Sequence, residues 1–166
     1  MSNFLILMSG GTTPVINSTL AGIDEVIKKT QRKVYSGLPG IQGVLEDSMI
    51  DLTNFSKSKI LKMGKTPGSH FVGTTRLKKL TNKEVEKLKK NLEKKNIKNI
   101  INIGGNGTLQ QTVDLSKRLK QFNFASCPKT VDNDLGDSSF KKLLFNPGFI
   151  SCAEIWRFFL EMINIE

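Results

Sequence analysis

Two strand-like segments in the second half of the chain end in loops rich in glycine or aspartate, and this pattern restricts the fold most. Residues 97–103 precede the pair Gly104-Gly105, after which a helical pattern begins. Residues 122–127 precede the loop of residues 128–134. Strands that alternate with helices form parallel sheets, whose carboxyl ends lie at one edge. The sequence therefore predicts that both loops lie at a common edge.

The first half of the chain shows the same alternation. Residues 3–8 are a nearly continuous apolar run and predict a buried strand. Residues 17–29 have helical periodicity, with Asn17 or Ser18 near the start, and a capping box at Thr81 and Glu84 predicts a helix that ends near Asn96. Between these elements the sequence predicts a strand over 33–38, a mixed segment with one helical turn over 41–51 and a loop with some extended structure over 50–61. Two further helices are predicted later in the chain. They are a helix over 108–120 with the apolar residues Leu109, Val113 and Leu115, and an amphipathic helix over 149–163 with Ile155, Phe158, Phe159 and Met162. We therefore expect one α/β domain over residues 1–166, with three layers and a mostly parallel sheet between helices.

Composition narrows the functional class. The 166 residues carry a formal net charge of +10, which indicates either a polyanionic partner or lysines spread over solvated faces. Many lysines fall in the helix after Thr81 without interleaved aromatic residues, so we favour the second interpretation and expect no nucleic-acid partner. One histidine and two separated cysteines exclude a zinc site, and the cysteines give no support for a disulfide framework. No segment is typical of a signal peptide or a membrane span, which predicts a cytoplasmic protein.

Two glycine pairs are candidates for phosphate binding. Gly10-Gly11 follows the first predicted strand, and Gly104-Gly105 follows a later one. Glycine lets the backbone approach a ligand closely, and free N–H groups at a helix start favour anions. Each pair alone is also compatible with an ordinary tight turn. Two such turns at one sheet edge favour the phosphate interpretation.

Four polar residues are candidates for the chemistry. Asp132 and Asp134 lie two residues apart, so in an extended loop both carboxylates point the same way and one can act as a general base. Arg76 and Lys129 are candidates for contacts with phosphate. The alternatives are an aspartate turn that bonds its own backbone and two solvated basic side chains. The only histidine, His70, fits a loop residue better than a catalyst.

Taken together, these segments resemble the phosphofructokinase family. The resemblance rests on residues 10–17, 33–43, 66–69 with 73–76, 104–108 and 128–134, in the family's order. The last segment, which reads PKTVDND, is similar to the most specific motif of the family. The resemblance implies a Rossmann-like amino-terminal domain that transfers a phosphoryl group from ATP to the 1-hydroxyl of fructose 6-phosphate in glycolysis, with diphosphate as the alternative donor. An inactive nucleotide-binding relative is a further alternative.

The resemblance also implies residue roles. Asp132 would be the base that accepts the proton of the sugar hydroxyl, Asp134 would support the metal or the transition state, and Arg76 and Lys129 would assist catalysis. Asn106 would occupy the Mg²⁺ position. The implied donor-binding residues are Gly10, Gly11, Arg76, Leu77, Gly105, Asn106, Gly107 and Thr108, and the implied substrate-binding residues are Lys129, Thr130, Val131 and Asp132.

Some residues depart from the family pattern. Val15 replaces a common glycine, and Asn106 replaces the usual aspartate with a weaker neutral ligand. The resemblance gives opposite indications of the donor: in the family a glycine at the position of Gly107 leaves room for ATP, whereas a lysine at the position of Lys129 is typical of the diphosphate lineage. We favour ATP. The family's second half, which supplies most of the sugar-phosphate pocket, does not follow within these 166 residues. We therefore expect a fragment or truncated form with little activity and an exposed apolar sheet edge, and a homo-oligomer when full length.

Overall fold

The computed structural model describes residues 1–65, 71–76, 79–135 and 146–163. Within these residues strands and helices alternate along most of the chain. The elements are β1 (Asn3–Met8), α1 (Pro14–Lys28), β2 (Val34–Gly37), α2 (Gly40–Leu45), β3 (Met49–Asp51), α3 (Lys57–Gly64), α4 (Asn82–Lys94), β4 (Ile97–Gly104), α5 (Asn106–Arg118), β5 (Asn123–Pro128) and α6 (Phe149–Ile163). None of the described helices is long and apolar enough to cross a membrane.

The strands form one sheet in the order β3-β2-β1-β4-β5. β1 pairs in parallel with β2 and β4, and β4 pairs in parallel with β5. Only β3 among the described strands runs antiparallel, against β2. The predicted fold class is therefore confirmed, with β3 as an additional edge strand in a segment that we expected to be mixed or looped.

Side chains of β1 alternate between two apolar cores. Leu5 and Leu7 belong to a core with α2, α4 and α5, whereas Ile6 and Met8 belong to a core with α1 and α3. This alternation follows from the period of two in a strand. The sheet thus separates two helical layers, as predicted.

Two helices begin earlier than the sequence patterns predict. α1 begins at Pro14 rather than near Asn17 or Ser18, because proline lacks the N–H that a first-turn residue leaves unpaired. Asn17 lies within α1 and is buried. α5 begins at Asn106 rather than Thr108, directly after Gly105. The second glycine turn therefore leads straight into a helix start.

α3 falls in the segment that we expected to be a loop, and that expectation was wrong. Ser56 caps this helix, because its hydroxyl accepts a hydrogen bond from the Lys59 N–H at 3.2 Å. Ile60 and Met63 are buried against α1, while Leu61 is exposed. A helix with so few buried positions gives only a weak apolar period in the sequence.

The capping box of α4 is confirmed. The Thr81 N–H donates to Glu84 Oε2 at 2.7 Å, and the Glu84 N–H donates to Thr81 Oγ1 at 3.3 Å. Val85, Leu88 and Leu92 are buried, as the stripe predicts. Reciprocal bonds of this kind satisfy two backbone donors that the helix cannot pair internally.

Not every predicted apolar position is buried. In α5, Leu115 is buried but Val113 is 52% exposed. α6 has the predicted bounds, yet it contains no buried residue, and the four apolar side chains named for it are all at least 50% exposed. Periodicity indicates which face of a helix is apolar, but not what covers that face.

Asp24 is a buried carboxylate in α1 that forms an ion pair with Lys28, with Oδ2 and Nζ 2.9 Å apart. Burial raises the pKa of Asp24, although Lys28 opposes this shift. Ionisation therefore costs more in the folded state than in the unfolded state. The neutral carboxyl is therefore favoured by folding. The stabilisation that it provides is complete at pH values below the pKa of Asp24 in the unfolded chain, and it is lost as the pH rises through the higher pKa in the folded protein.

We expect Asp24→Asn to gain stability relative to the wild type as pH rises from about 4 to 7, since the amide cannot ionise. Urea unfolding midpoints at both pH values measure the difference. Asp114→Asn, a change at a more exposed carboxylate in α5 paired with Arg118, is the control. A difference between wild type and Asp24→Asn that does not change with pH would contradict this account.

Candidate functional site

A cavity of about 380 Å³ opens at the carboxyl edge of the sheet, where the ends of β1, β4 and β5 meet. Both glycine turns and the aspartate loop contribute to it. The lining residues are Ser9, Gly10, Gly11, Arg76, Gly105, Asn106, Gly107, Thr108, Lys129, Thr130, Asp132 and Asp134. The sequence prediction that these loops share one edge is therefore confirmed.

The turn after β1 holds the loop that carries Arg76. Gly10 has φ +84°, a conformation that other residues rarely adopt. Its N–H donates to the Thr75 carbonyl at 3.2 Å, and its carbonyl accepts from the Thr74 hydroxyl at 3.0 Å. Ser9 adds a hydroxyl bond to the Thr75 carbonyl at 3.1 Å. These bonds position Arg76 at the cavity.

The turn after β4 presents the start of α5 to the cavity. Gly105 is the N-cap and has no side chain, so no side-chain cap occupies the backbone N–H groups of the first turn, although the Thr108 N–H donates to the Gly105 carbonyl at 3.0 Å. Such groups, with the positive end of the helix dipole, favour an anion. A Cβ on Gly104 would lie 2.7 Å from Thr108 Cβ, so glycine is required for this close turn.

Lys129 connects the two turns. Its Nζ donates to the Gly11 carbonyl at 2.7 Å, and its backbone N–H donates to the Gly104 carbonyl at 2.8 Å. The residue is only 5% exposed. Burial lowers the pKa of the Lys129 ammonium, and the charge of Asp132 partly opposes this shift. The site therefore contains a largely desolvated cation, which attracts an anion more strongly than a solvated one would.

The aspartate loop combines a turn with an exposed pair of carboxylates. Thr130 is buried, its hydroxyl donates to Asp132 Oδ2 at 3.2 Å, and it accepts from the Asp132 N–H at 3.1 Å. Asp132 and Asp134 are exposed and both line the cavity. The geometry is thus compatible with both interpretations of the loop, a turn that bonds its own backbone and a pair of carboxylates available for chemistry. A hydroxyl that enters the cavity can reach these carboxylates.

Most of the predicted site residues lie together, and the exceptions are few. Val131 does not line this cavity, and its side chain is near Gly148. Leu77 and His70 lie outside the described residues. Ser9 lines the cavity but was not among the predicted residues. Its only signal in the sequence is a polar residue at the end of an apolar run.

Among the described residues, no three His, Cys, Asp or Glu side chains are close enough together to hold a metal ion. The cavity nevertheless contains hard oxygen atoms from Asp132, Asp134 and the amide of Asn106. Mg²⁺ usually takes one or two carboxylates and completes its shell with phosphates and water. These residues therefore fit Mg²⁺ that enters with a phosphate ligand better than a cation held by protein atoms alone.

A family model for phosphofructokinase matches residues 3–155. The chain belongs to the phosphofructokinase family. Pyrophosphate–fructose 6-phosphate 1-phosphotransferase of Xanthomonas campestris pv. campestris is 31% identical over 92% of this chain and 37% of that protein. ATP-dependent 6-phosphofructokinase of Staphylococcus aureus is 28% identical over 84% of this chain and 42% of that protein. Relatives named for both donors are thus similar to this phosphofructokinase chain.

A solved structure gives the same family and fold. The pyrophosphate-dependent phosphofructokinase from Marinobacter aquaeolei superposes with a TM-score of 0.78 and 30% identity, over 90% of this chain and 37% of that one. The chain therefore spans about two fifths of the length of the relatives and the structure described here. The matched phosphofructokinase region contains both glycine turns and the aspartate loop.

Proposed function

We propose that residues 1–166 are the amino-terminal, donor-binding part of a cytoplasmic 6-phosphofructokinase. The reaction is phosphoryl transfer from ATP to the 1-hydroxyl of fructose 6-phosphate. One observation supports this most: a single cavity is lined by two glycine turns, a desolvated lysine and a pair of carboxylates. Phosphoryl transfer needs a phosphate cradle beside a group that accepts a proton.

Each part of the cavity has a role in this proposal. The start of α5, Arg76 and Lys129 hold the donor phosphates, and their positive charge stabilises the charge that spreads in the transition state. Asp132 accepts the proton of the sugar hydroxyl, with Thr130 fixing one of its oxygens at 3.2 Å. Asp134 and Asn106 would hold Mg²⁺, which would neutralise phosphate charge when bound.

A second cavity supports ATP as the donor. This cavity, of about 390 Å³, shares Arg76 with the first and is lined by Ile41, Leu45 and Leu80 among others. Apolar walls beside a phosphate site suit a nucleoside. A Cβ on Gly107 would meet no heavy atom of the described chain within 4 Å, which leaves space at the start of α5. ATP can therefore extend from the phosphate cavity along Arg76.

Diphosphate is the alternative donor, and Lys129 is the observation that favours it. Lys129 lines the phosphate cavity, and two relatives that share about 30% identity are named for pyrophosphate. Calorimetry with ATP and with diphosphate, each with Mg²⁺, distinguishes the two donors. Binding of neither donor would overturn the proposed function.

Asp132→Asn tests the assignment of the base. We expect donor affinity to stay within about threefold, because the base contacts the acceptor rather than the donor, and any turnover to fall by about 10²–10⁴. The chain itself should turn over slowly, since positioning both reactants supplies most of the rate. Calorimetry and a coupled assay measure the two effects. Unchanged turnover would reject Asp132 as the base.

A further inference from the structure

Asn146 forms a network of hydrogen bonds with the aspartate loop, although ten residues separate it from Leu135. The amide Nδ2 donates to Asn133 Oδ1 at 3.1 Å and to the Leu135 carbonyl at 3.2 Å. The amide Oδ1 accepts from the Leu135 N–H at 3.0 Å, and the Asn146 backbone N–H donates to Asn133 Oδ1 at 2.8 Å. Asn146 is 2% exposed, so these bonds are shielded from water.

This network holds the end of the aspartate loop, where one residue has an uncommon backbone conformation. Asn133 has φ +54°, a left-handed conformation that is uncommon for a residue other than glycine. Asp132 and Asp134, on either side of it, are exposed. Leu135 is buried, and both of its backbone polar groups bond to the same asparagine side chain. A side chain that both donates and accepts is needed for this pairing, which excludes aliphatic replacements and an ionised carboxylate.

We propose that Asn146 is a positioning residue that fixes Asp132 and Asp134 at the cavity. It touches neither ligand nor reacting atoms in this role, and it acts through Asn133 and Leu135. The functional part of the proposal rests on the proposed function, because it assigns Asp134 to the Mg²⁺ that accompanies the donor. The structural part stands on the hydrogen bonds alone. Two separate measurements test these parts.

Hydrogen exchange of backbone amides, resolved by ¹⁵N NMR, tests the structural part. In Asn146→Ala the Leu135 N–H loses its acceptor, and we expect its exchange to accelerate at least tenfold while amides of β1 and β4 are unchanged. Asn123→Ala, which removes an exposed side-chain bond to Asn99 at the far end of β5, is the matched control. Unaccelerated exchange at Leu135 in a folded Asn146→Ala protein would overturn the proposal.

Asn146→Asp adds a pH-dependent rescue that a general loss of packing would not produce. When protonated, the new carboxyl can accept from the Leu135 N–H and donate one of the two bonds that the amide donates, to the Leu135 carbonyl or to Asn133 Oδ1. The ionised form can only accept, so it repels both of these oxygens. We expect protection of the Leu135 amide to be partly kept at about pH 4 and clearly lower at about pH 7.5, after correction for intrinsic exchange. The ionised carboxylate can still accept from the Leu135 N–H, but its repulsion of the Leu135 carbonyl and Asn133 Oδ1 opens the loop. Equal loss at both pH values would contradict the positioning role. Asn133→Gly, which tolerates the same φ and removes Oδ1, gives a second test if Asn146 variants unfold.

Calorimetry tests the functional part. In Asn146→Ala, we expect the gain in affinity on adding Mg²⁺, measured with whichever of ATP and diphosphate the wild type binds, to fall about tenfold. Metal-free affinity for that donor should be retained, because Lys129 and α5 are untouched. A full Mg²⁺ gain in Asn146→Ala would reject the role of Asn146 in positioning. If the wild type binds neither diphosphate nor ATP, the proposed function fails instead, and exchange at Leu135 still decides whether Asn146 holds the loop.

Discussion

Lys129→Met is expected to weaken diphosphate and ATP binding at least thirtyfold, which corresponds to about 2 kcal/mol. Methionine keeps most of the apolar stem but removes the charge and the bond to the Gly11 carbonyl. The loss is large because the ammonium is buried, and removing one partner of a buried charged contact costs about 2–5 kcal/mol. Calorimetry with each donor and Mg²⁺ at constant salt measures the change.

Lys120→Met is the matched control, because it removes the same charge from an exposed position after α5. We expect it to change affinity by less than about twofold at physiological salt, where exposed distant charges are screened. Similar losses in both variants would show that net charge, rather than a contact at the cavity, drives binding.

Lys129 should also make the binding of the phosphoryl donor depend on pH. Burial lowers the pKa of Lys129, so the ammonium loses its proton at a lower pH than an ordinary lysine does. Donor affinity should therefore decrease as pH rises through this lowered pKa. The decrease should be absent in Lys129→Met, and comparing both proteins with one ligand cancels the ionisation of the ligand. A parallel pH profile in the two proteins would contradict the assignment.

Gly43→Ala is expected to destabilise the fold by about 3 kcal/mol or more. A Cβ at this position in α2 would lie 2.5 Å from the Leu38 carbonyl carbon and 2.6 Å from its oxygen. These are backbone atoms, so no side-chain rotation relieves the overlap, and α2 would have to move away from the end of β2. The free energy of unfolding in urea measures the loss.

For Gly22→Ala, in α1, we expect the opposite change in the free energy of unfolding. Within the described chain, no heavy atom lies within 4 Å of a Cβ built on Gly22 in α1. Alanine should therefore raise the free energy of unfolding by about 0.5–1 kcal/mol, because it restricts the unfolded chain and favours helix. A stabilising Gly43→Ala, or equal losses at both positions, would show that the packing of α2 is described wrongly.

Features that depend on neighbouring residues in the sequence were predicted well. The capping box of α4 and the apolar run of β1 are each specified by a few consecutive residues, and the structure confirms both positions. The meeting of the glycine turns and the aspartate loop was also predictable, because parallel strands place their carboxyl ends at one edge. The rule predicts that Gly10, Gly105 and Asp132 lie close together, and all three line one cavity.

Features that depend on distant contacts were missed. β3 has only three residues and exists because it pairs with the edge of β2. α3 is specified mainly by burial of Ile60 and Met63 against α1. Asn146 looks like an ordinary loop residue in the sequence, and its bonds to Asn133 and Leu135 appear only when the chain folds back. Short elements and single side chains of this kind carry too little local pattern to be recognised.

The bond between Lys129 and Gly11 has a further consequence for how ligand binding and loop order depend on each other. An ammonium has three N–H donors, and the Gly11 carbonyl takes one of them. An incoming phosphate can therefore accept from the others without displacing the first. The bond to Gly11 already joins the ends of β1 and β5 in the empty protein, and a bound phosphate would add further hydrogen bonds at the same nitrogen. This edge of the sheet should therefore be more rigid with the anion bound than without it.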